Sequence, residues 1–261
     1  MSIVSKVGRL PTGLLTGRYK ADQKFRNWIK KRWFCPFDLR KNAGRVSFTG
    51  IYLPYWTFDS QTTSHYTARY GITRTVTVGH GDNRRTKTYT EWHYTRGRYD
   101  KFFNDCLVQG STRHNMKMLD QIAPFDTENN LVYRPEYLAG FIAERYSVGL
   151  DSAWSTAQGK IERDLRSAIT QEIRWRYHAD YVDSLRMTTY HDGVTYKYLM
   201  LPVWMSHYEY KNKIYHFMVN GQTGKVGGKA PLSFWQVLLA IVGSAAAVAL
   251  LYMLFYFLGG M

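Results

Sequence analysis

An α+β fold is predicted: antiparallel sheets with packed helices, followed by one C-terminal transmembrane helix. Three observations carry this expectation. Tyr66, Ala68, Tyr70, Ile72, Val76 and Val78 share one parity, while Thr67, Arg69, Thr73, Thr75 and Thr77 share the other. That is the period of a half-buried strand. Trp154, Ala157, Ile161, Leu165, Ala168, Ile169 and Ile173 recur at helical spacing, as one apolar stripe requires. Residues Phe234 to Leu258 form 25 consecutive, mostly apolar positions without a charge, the length a helix needs to cross a bilayer.

The elements follow in chain order. Residues 21–33 read as a short amphipathic helix, with Phe25, Trp28, Ile29 and Trp33 on one face, Asp22 in a capping or first-turn position, and Pro36 as its stop. Its aromatic stripe is expected to pack on the domain, the alternative being a membrane interface. Strands are expected over 46–58 and 66–78. A turn at Gly79-His80-Gly81-Asp82-Asn83 then leads to a return strand over 86–95 and a basic hairpin tip at Arg84, Arg85 and Lys87. Phe102–Val108 is a further strand candidate. Residues 116–122 and 135–145 read as helices, Pro135 occupying a favoured first-turn position, and 151–176 is the longest helix before the terminal one. Strands return at 179–190 and 195–210. A turn at Lys211-Asn212-Lys213 then opens strand 214–219, and Asn220-Gly221 and Thr223-Gly224 mark another turn.

Leu53-Pro54-Tyr55-Trp56 and Leu201-Pro202-Val203-Trp204 each follow a helix. Two related helix–strand halves or chance recurrence both account for this. Proline removes a ladder donor, so each strand is expected to have an edge or bulge there, and each Trp to plug a core. The domain organisation read from these elements is a basic N-terminal segment (1–45), an α+β cytoplasmic domain (46–228) and a C-terminal anchor (229–261).

The 261 residues carry a net charge of +15, and every Lys and Arg precedes Ala230. The positive-inside tendency therefore places the large N-terminal part in the cytoplasm. Met1 to Leu15 has no continuous apolar core of the secretory kind. The anchor is read as a single-pass tail anchor. Cys35 and Cys106 are too few for a disulfide framework or a four-cysteine zinc site, and are expected to be small, buried and reduced.

Residues 1–45 hold twelve Lys and Arg against Asp22 and Asp38. Lys24, Arg26, Lys30, Lys31, Arg32, Arg40, Lys41 and Arg45 are the candidate surface for an anionic partner. Beside a bilayer, anionic headgroups attract each such cation by about 1 kcal/mol. Nucleic acid is the rival partner. Aromatics interleaved with Arg and Lys in the strands fit base stacking or ordinary cross-strand pairing.

No catalytic constellation is legible. The eight histidines are scattered, with no His-Glu-x-x-His spacing. Gly221-Gln222-Thr223-Gly224-Lys225 lacks the spacing and the following helix of a phosphate-binding loop. The expectation is a protein that is not an enzyme, with no cofactor and no metal.

Several motifs together resemble a bacterial family. They are Trp33-Phe34-Cys35-Pro36, the run from Gly50 to Asp59, Tyr137-Leu138-Ala139-Gly140-Phe141, the run from Leu199 to Trp204, the run from Val219 to Lys225, and Pro231 before the terminal helix. Members of that family are labelled TFIIB-type zinc-ribbon-containing or primosomal protein N′-like membrane proteins, and the resemblance covers residues 20–258. Such proteins begin with one or two Cys-x-x-Cys zinc ribbons, and this chain has none. The resemblance implies a membrane-attached protein. Some relatives keep company with flotillin-like and phage-shock-type membrane proteins, which implies a scaffold or adaptor with protein partners. The resulting expectation is a tail-anchored membrane scaffold that presents a basic cytoplasmic domain to anionic lipid or protein. The alternative is a membrane-tethered nucleic-acid-binding protein.

Overall fold

Ala153, Ala157, Ile161, Leu165, Ile169 and Ile173 are all fully buried, and their four-residue spacing decides how the longest soluble helix packs. Each step of four turns about 40° further round the axis, so the row slants along the helix and fits a surface that twists beneath it. A computed structural model describes residues 4–11, 17–37, 41, 46–78, 85–132, 138 and 141–258. In chain order the elements are β1 (Val4–Pro11), α1 (Arg18–Lys30), β2 (Thr49–Val78), β3 (Arg85–Gln109), α2 (Met116–Ile122), β4 (Asn130–Val132), β5 (Ile142–Ala143), α3 (Leu150–Tyr177), β6 (Tyr181–Tyr210), β7 (Lys213–Asn220), β8 (Val226–Gly228) and α4 (Phe234–Leu258). The α+β class and the antiparallel pairing agree with the sequence reading.

The chain forms two compact units that alternate along it. The first takes the described parts of Met1–Arg9, Pro54–Ser111 and Tyr146–Leu199; the second takes those of Leu10–Leu53, Thr112–Arg145 and Met200–Met261. Strands β2 and β6 each continue from one unit into the other.

In the first unit, β2 and β3 form a long antiparallel ladder from Tyr55–Gln109 to Val78–Arg85. The hairpin expected at 66–95 is thus longer, absorbing the separate strand expected at 102–108. Its turn and Arg84 lie outside the described residues. Ser60–His191, Ser64–Thr189 and Arg69–Asp183 contacts run in opposite senses along β2 and β6, so these strands are also antiparallel. Strand β1, which the sequence pattern did not reveal, pairs in parallel with β6 from Val4–Thr195 to Arg9–Leu199. Helix α3 covers the face carrying Phe58, Tyr66, Ala68 and Phe103. Beneath it Ser60, Thr62 and Ser64 are fully buried. Each hydroxyl has a partner: His191 Nδ1 at 3.2 Å, the Lys101 carbonyl at 2.7 Å and Thr189 Oγ1 at 2.9 Å. Burial holds the His191 imidazole below its ordinary pKa, because the charged form loses hydration there.

The β2–β3 register shifts between Phe58 and Ser60. Asp105 adopts a φ of 51° opposite this bulge. Its N–H donates to Asp59 Oδ1 at 2.8 Å, and Thr195 Oγ1 donates to Asp59 Oδ2 at 2.9 Å. Lys197 Nζ reaches Asp105 Oδ1 at 2.6 Å, with only 13% and 7% of the two side chains exposed. A charged clamp therefore pins three strands at the bulge.

The second unit is built around Phe25, Phe48 and Phe217. Phe25 stacks on Phe217 at 3.8 Å, and Phe48 meets both edge-on at 6.0 and 5.6 Å, arrangements that favour aromatic quadrupoles. Ala21, Ile29, Cys35, Trp204, Tyr208 and Val219 complete the core. Helix α1 therefore spends its apolar stripe on this core, as expected. It begins earlier than expected, with Gly17 as N-cap and no acid in its first turn. Asp22 instead pairs with Arg26 one turn on, at 2.5 Å. The helix expected over 135–145 is corrected: Ile142–Ala143 pairs in parallel with Ile51–Tyr52, while 133–137 and 139–140 lie outside the described residues. Lys211 and Asn212 both have positive φ, 50° and 59°, the geometry of a tight type I′ hairpin. Asn220 is fully buried and donates to the Ile122 and Pro124 carbonyls, while its Oδ1 accepts from the Gln222 and Thr223 amides. The Gly221–Lys225 segment is thus a strand-to-strand turn.

The two Leu-Pro-x-Trp motifs have matching local geometry. Pro54 O accepts from Gly110 N at 2.8 Å, and Pro202 O accepts from Gly221 N at 2.9 Å. In the described β2–β3 and β6–β7 ladders, no register shift falls at either proline. Instead the strand changes partner there: β2 passes from β5 at Tyr52 to β3 at Tyr55, and β6 from β1 at Leu199 to β7 at Val203. No ladder donor is needed where partners change. Trp56 and Trp204 are each buried, in the cores of the first and second unit respectively.

Two stability outcomes follow. Lys197→Met takes the ammonium away from the buried Asp105 carboxylate, and is expected to lower unfolding free energy in detergent by about 3–5 kcal/mol. Adding Asp105→Asn is expected to restore part of that loss in urea titrations. A Cβ at Gly110 would lie 2.9 Å from Pro54 O, and one at Gly221 would lie 2.8 Å from Pro202 O. Gly110→Ala and Gly221→Ala are each expected to destabilise by about 1–3 kcal/mol. Gly159→Ala, in the open middle of α3, is expected to stabilise by about 0.5–1 kcal/mol.

Candidate membrane-facing basic surface

Helix α4 is 25 residues long, about 37 Å at 1.5 Å per residue. An 18-residue window within its Phe234–Tyr256 span has a mean hydropathy of 2.5, and none of that window is buried in the protein. Among the described residues it is the one helix long and apolar enough to cross a membrane. Packing therefore does not explain its apolar surface, as it would for a buried core helix.

The start of α4 is tied to the end of α1. Ser233 N donates to the Phe34 carbonyl at 2.8 Å, and Ser233 O accepts the first helical bond from Val237 N at 3.1 Å. The segment after α1 is folded tightly by Arg32 N to Ile29 O and Cys35 N to Arg32 O bonds, both 3.0 Å. Buried Cys35 and Pro36 root it in the second unit. The aromatic residues around them turn outward: Trp33 is 73% and Phe37 68% exposed, and Phe34, Leu232, Phe234 and Trp235 are also exposed. Exposed aromatics at the mouth of an apolar helix match the belt found at membrane–water interfaces.

The predicted basic residues divide into three groups. Lys30, Lys31 and Arg32 are exposed at the C-terminal end of α1, where cations also offset the helix dipole. The Arg32 guanidinium lies 3.9 Å from the Trp28 ring centroid, so it is held by stacking while remaining open to an anion. Lys41 is exposed as well. Arg26 is engaged by Asp22, whose hydrogen bond raises the guanidinium pKa further. The Lys24 stem lies along Gly224, which has a φ of 71°, so its methylenes pack on the β7–β8 turn. Arg40 and Arg45 lie outside the described residues. The structure thus brings together Lys30, Lys31 and Arg32 beside the aromatic segment, and directs Lys24 and Arg26 to other contacts.

Sequence reasoning placed Trp33 on the buried stripe of α1. It is exposed because the helix ends at Lys30 and the chain turns before Cys35. The legible signal was the Trp33-Phe34-Cys35-Pro36 run itself: the helix ends at Lys30, ahead of the proline, and the lone cysteine in an aromatic-rich run marks the inward position. The partner across the gap, Ser233, has no signal in local sequence.

Among the described residues, the histidines do not converge on this surface. His114 Nε2 meets the buried Glu144 carboxylate at 2.6 Å, with Arg113 at 3.9 Å, and His207 faces His216 across β6 and β7. Cys35 and Cys106 are both free thiols, and burial raises the Cys106 pKa above its ordinary value.

No protein-family model and no solved structure matches this chain. It is similar to the uncharacterized protein YdjG of Bacillus subtilis (strain 168), with 30% identity over 234 residues. That alignment covers 89% of this chain and 66% of the relative, so the chain spans just under two thirds of the relative's length.

Proposed function

We propose that this protein is a non-catalytic, single-pass membrane scaffold or adaptor. Its α4 helix anchors it in the bilayer, both compact units lie in the cytoplasm, and the basic surface at Lys30–Arg32 meets anionic lipid headgroups. The observation that carries this reading is the Ser233–Phe34 hydrogen bond, which holds the exposed aromatic segment and its three cations at the entry of α4. Lipid is therefore the partner within reach of those side chains, each worth about 1 kcal/mol beside an anionic surface. The concentration of Lys and Arg before α4 supports the cytoplasmic orientation. Kinship with the TFIIB-type zinc-ribbon-containing or primosomal protein N′-like membrane proteins is part of the same proposal, and rests on the shared motifs around Trp33, Pro54, Pro202 and Gly221.

Two experiments test it. The full chain is placed in nanodiscs of neutral phosphatidylcholine, or of the same lipid with phosphatidylglycerol added, and amide hydrogen exchange is followed over residues 30–37. Exchange is expected to be about tenfold slower in the anionic discs, and the Lys30→Glu/Lys31→Glu/Arg32→Glu variant is expected to lose that difference. Equal exchange in both discs would refute the lipid contact. In intact cells, protease added outside is expected to leave both units whole, whereas their digestion would overturn the cytoplasmic placement.

A further inference from the structure

The first unit has a second sheet face, opposite α3. Side chains alternate along a strand, so the Tyr66 and Ala68 that pack toward α3 leave His65, Thr67 and Arg69 on the other side. Cross-strand pairing puts Arg98, Arg96 and Tyr94 opposite these three. On β6, Leu185 and Met187 pack toward α3, leaving Arg186 and Thr188 outward. Two hollows of about 480 and 530 Å³ lie here and share Thr67, Arg96 and Arg186 in their walls. Together they make one groove that follows the strands for about 13 Å between His65 and Arg69, at about 3.3 Å per residue.

The charges along this groove are not equivalent. At one end the Arg69 guanidinium grips Asp183 through two hydrogen bonds of 3.0 and 2.7 Å and lies 4.4 Å from the Trp92 centroid. At the other, Arg98 holds Asp100 at 2.9 Å, and Thr63 donates to the same carboxylate. These bonds pull the Asp183 and Asp100 pKa values below the ordinary carboxylate range. Between the two neutralised pairs, Arg96 and Arg186 have no carboxylate partner among the described residues. Tyr94 stands 83% exposed beside them, and Tyr190 is also exposed.

We propose that this groove is a docking site for a short acidic segment of a protein partner, with carboxylates paired to Arg96 and Arg186 and its neighbouring side chains on Tyr94 and Tyr190. Arginine and tyrosine are the residues that most often carry binding energy at protein interfaces, and guanidinium groups pair with carboxylates in two-point contacts. A nucleic-acid strand fits less well. Its phosphates demand cations along the whole track, whereas the cations at both ends here are already matched by Asp183 and Asp100. A second copy of this chain is disfavoured by its net charge of +15. The proposal rests on the adaptor reading only in naming a protein as the occupant.

The test uses the full chain in neutral phosphatidylcholine nanodiscs, so that it does not depend on anionic lipid. Binding of fluorescein-labelled hexaglutamate is measured by anisotropy at about 0.15 M salt, with hexalysine and a ten-nucleotide oligothymidylate as comparators. Hexaglutamate is expected to bind most tightly. Arg96→Glu and Arg186→Glu are each expected to weaken it by about tenfold, and Arg96→Gln and Arg186→Gln less so. Lys87→Glu, an exposed charge elsewhere on β3, is expected to change it by less than about twofold. The glutamine variants decide the matter if charge reversal impairs folding. Unchanged binding in all four arginine variants, absence of hexaglutamate binding, or tighter binding of the oligonucleotide that the same substitutions abolish would each overturn the proposal.

Discussion

Proline's missing N–H is the constraint on which the strand layout depends. A thirty-residue strand that kept one neighbour throughout would need a donor at every second position. Pro54 and Pro202 deny β2 and β6 that donor, and in both strands the neighbour changes within a few residues of the proline. Each proline carbonyl then takes a hydrogen bond from a glycine at the end of the new partner strand, Gly110 or Gly221. Only glycine lets the backbone approach so closely. The two compact units are a consequence: the boundary between them falls at or near these partner changes on β2 and β6. The tryptophan two residues past each proline then fills the core of the unit in which it lies.

The interior of the first unit is unusually polar where α3 crosses the sheet. Small hydroxyl side chains let the helix come close, and each has a hydrogen-bond partner, so burial incurs little penalty. The same holds at the bulge, where Asp59, Asp105, Thr195 and Lys197 satisfy one another. Such a set contributes less to net stability than to choosing one register, since any slip would strand a charge away from its partner.

Much of this was legible in the chain. The alternation on 66–78 and the apolar stripe of α3 specify a sheet face and the helix that covers it, because both depend on local period alone. Met116–Ile122 was legible for the same reason, and Asn115 caps it as its side chain accepts from Met118 N. What escaped was non-local. Residues 142–143 pair with Ile51–Tyr52, so a helical pattern gave way to a bridge that only the fold supplies. Strand β1 has no alternation to betray it. The candidate lipid surface was half visible: Lys30–Arg32 stood out as a charge run, but Trp33 changed sides because α1 stops one turn sooner than its periodicity suggests. The arginines of the sheet face were hidden by an opposite problem. Arg96 and Arg98 sit among many alternating polar residues: Arg98 is neutralised by Asp100 two residues along its own strand, whereas Arg96 has no carboxylate partner among the described residues.

The bond between Ser233 and Phe34 has a mechanical meaning. A globular head usually hangs from its anchor on a loose tether, free to swivel. Here one backbone hydrogen bond ties the start of α4 to Phe34, just past the first helix and some two hundred residues away in the chain. A tug or twist on α4 would reach the aromatic core around Phe25 directly, without first taking up slack, so the second unit would tilt with that helix as one lever.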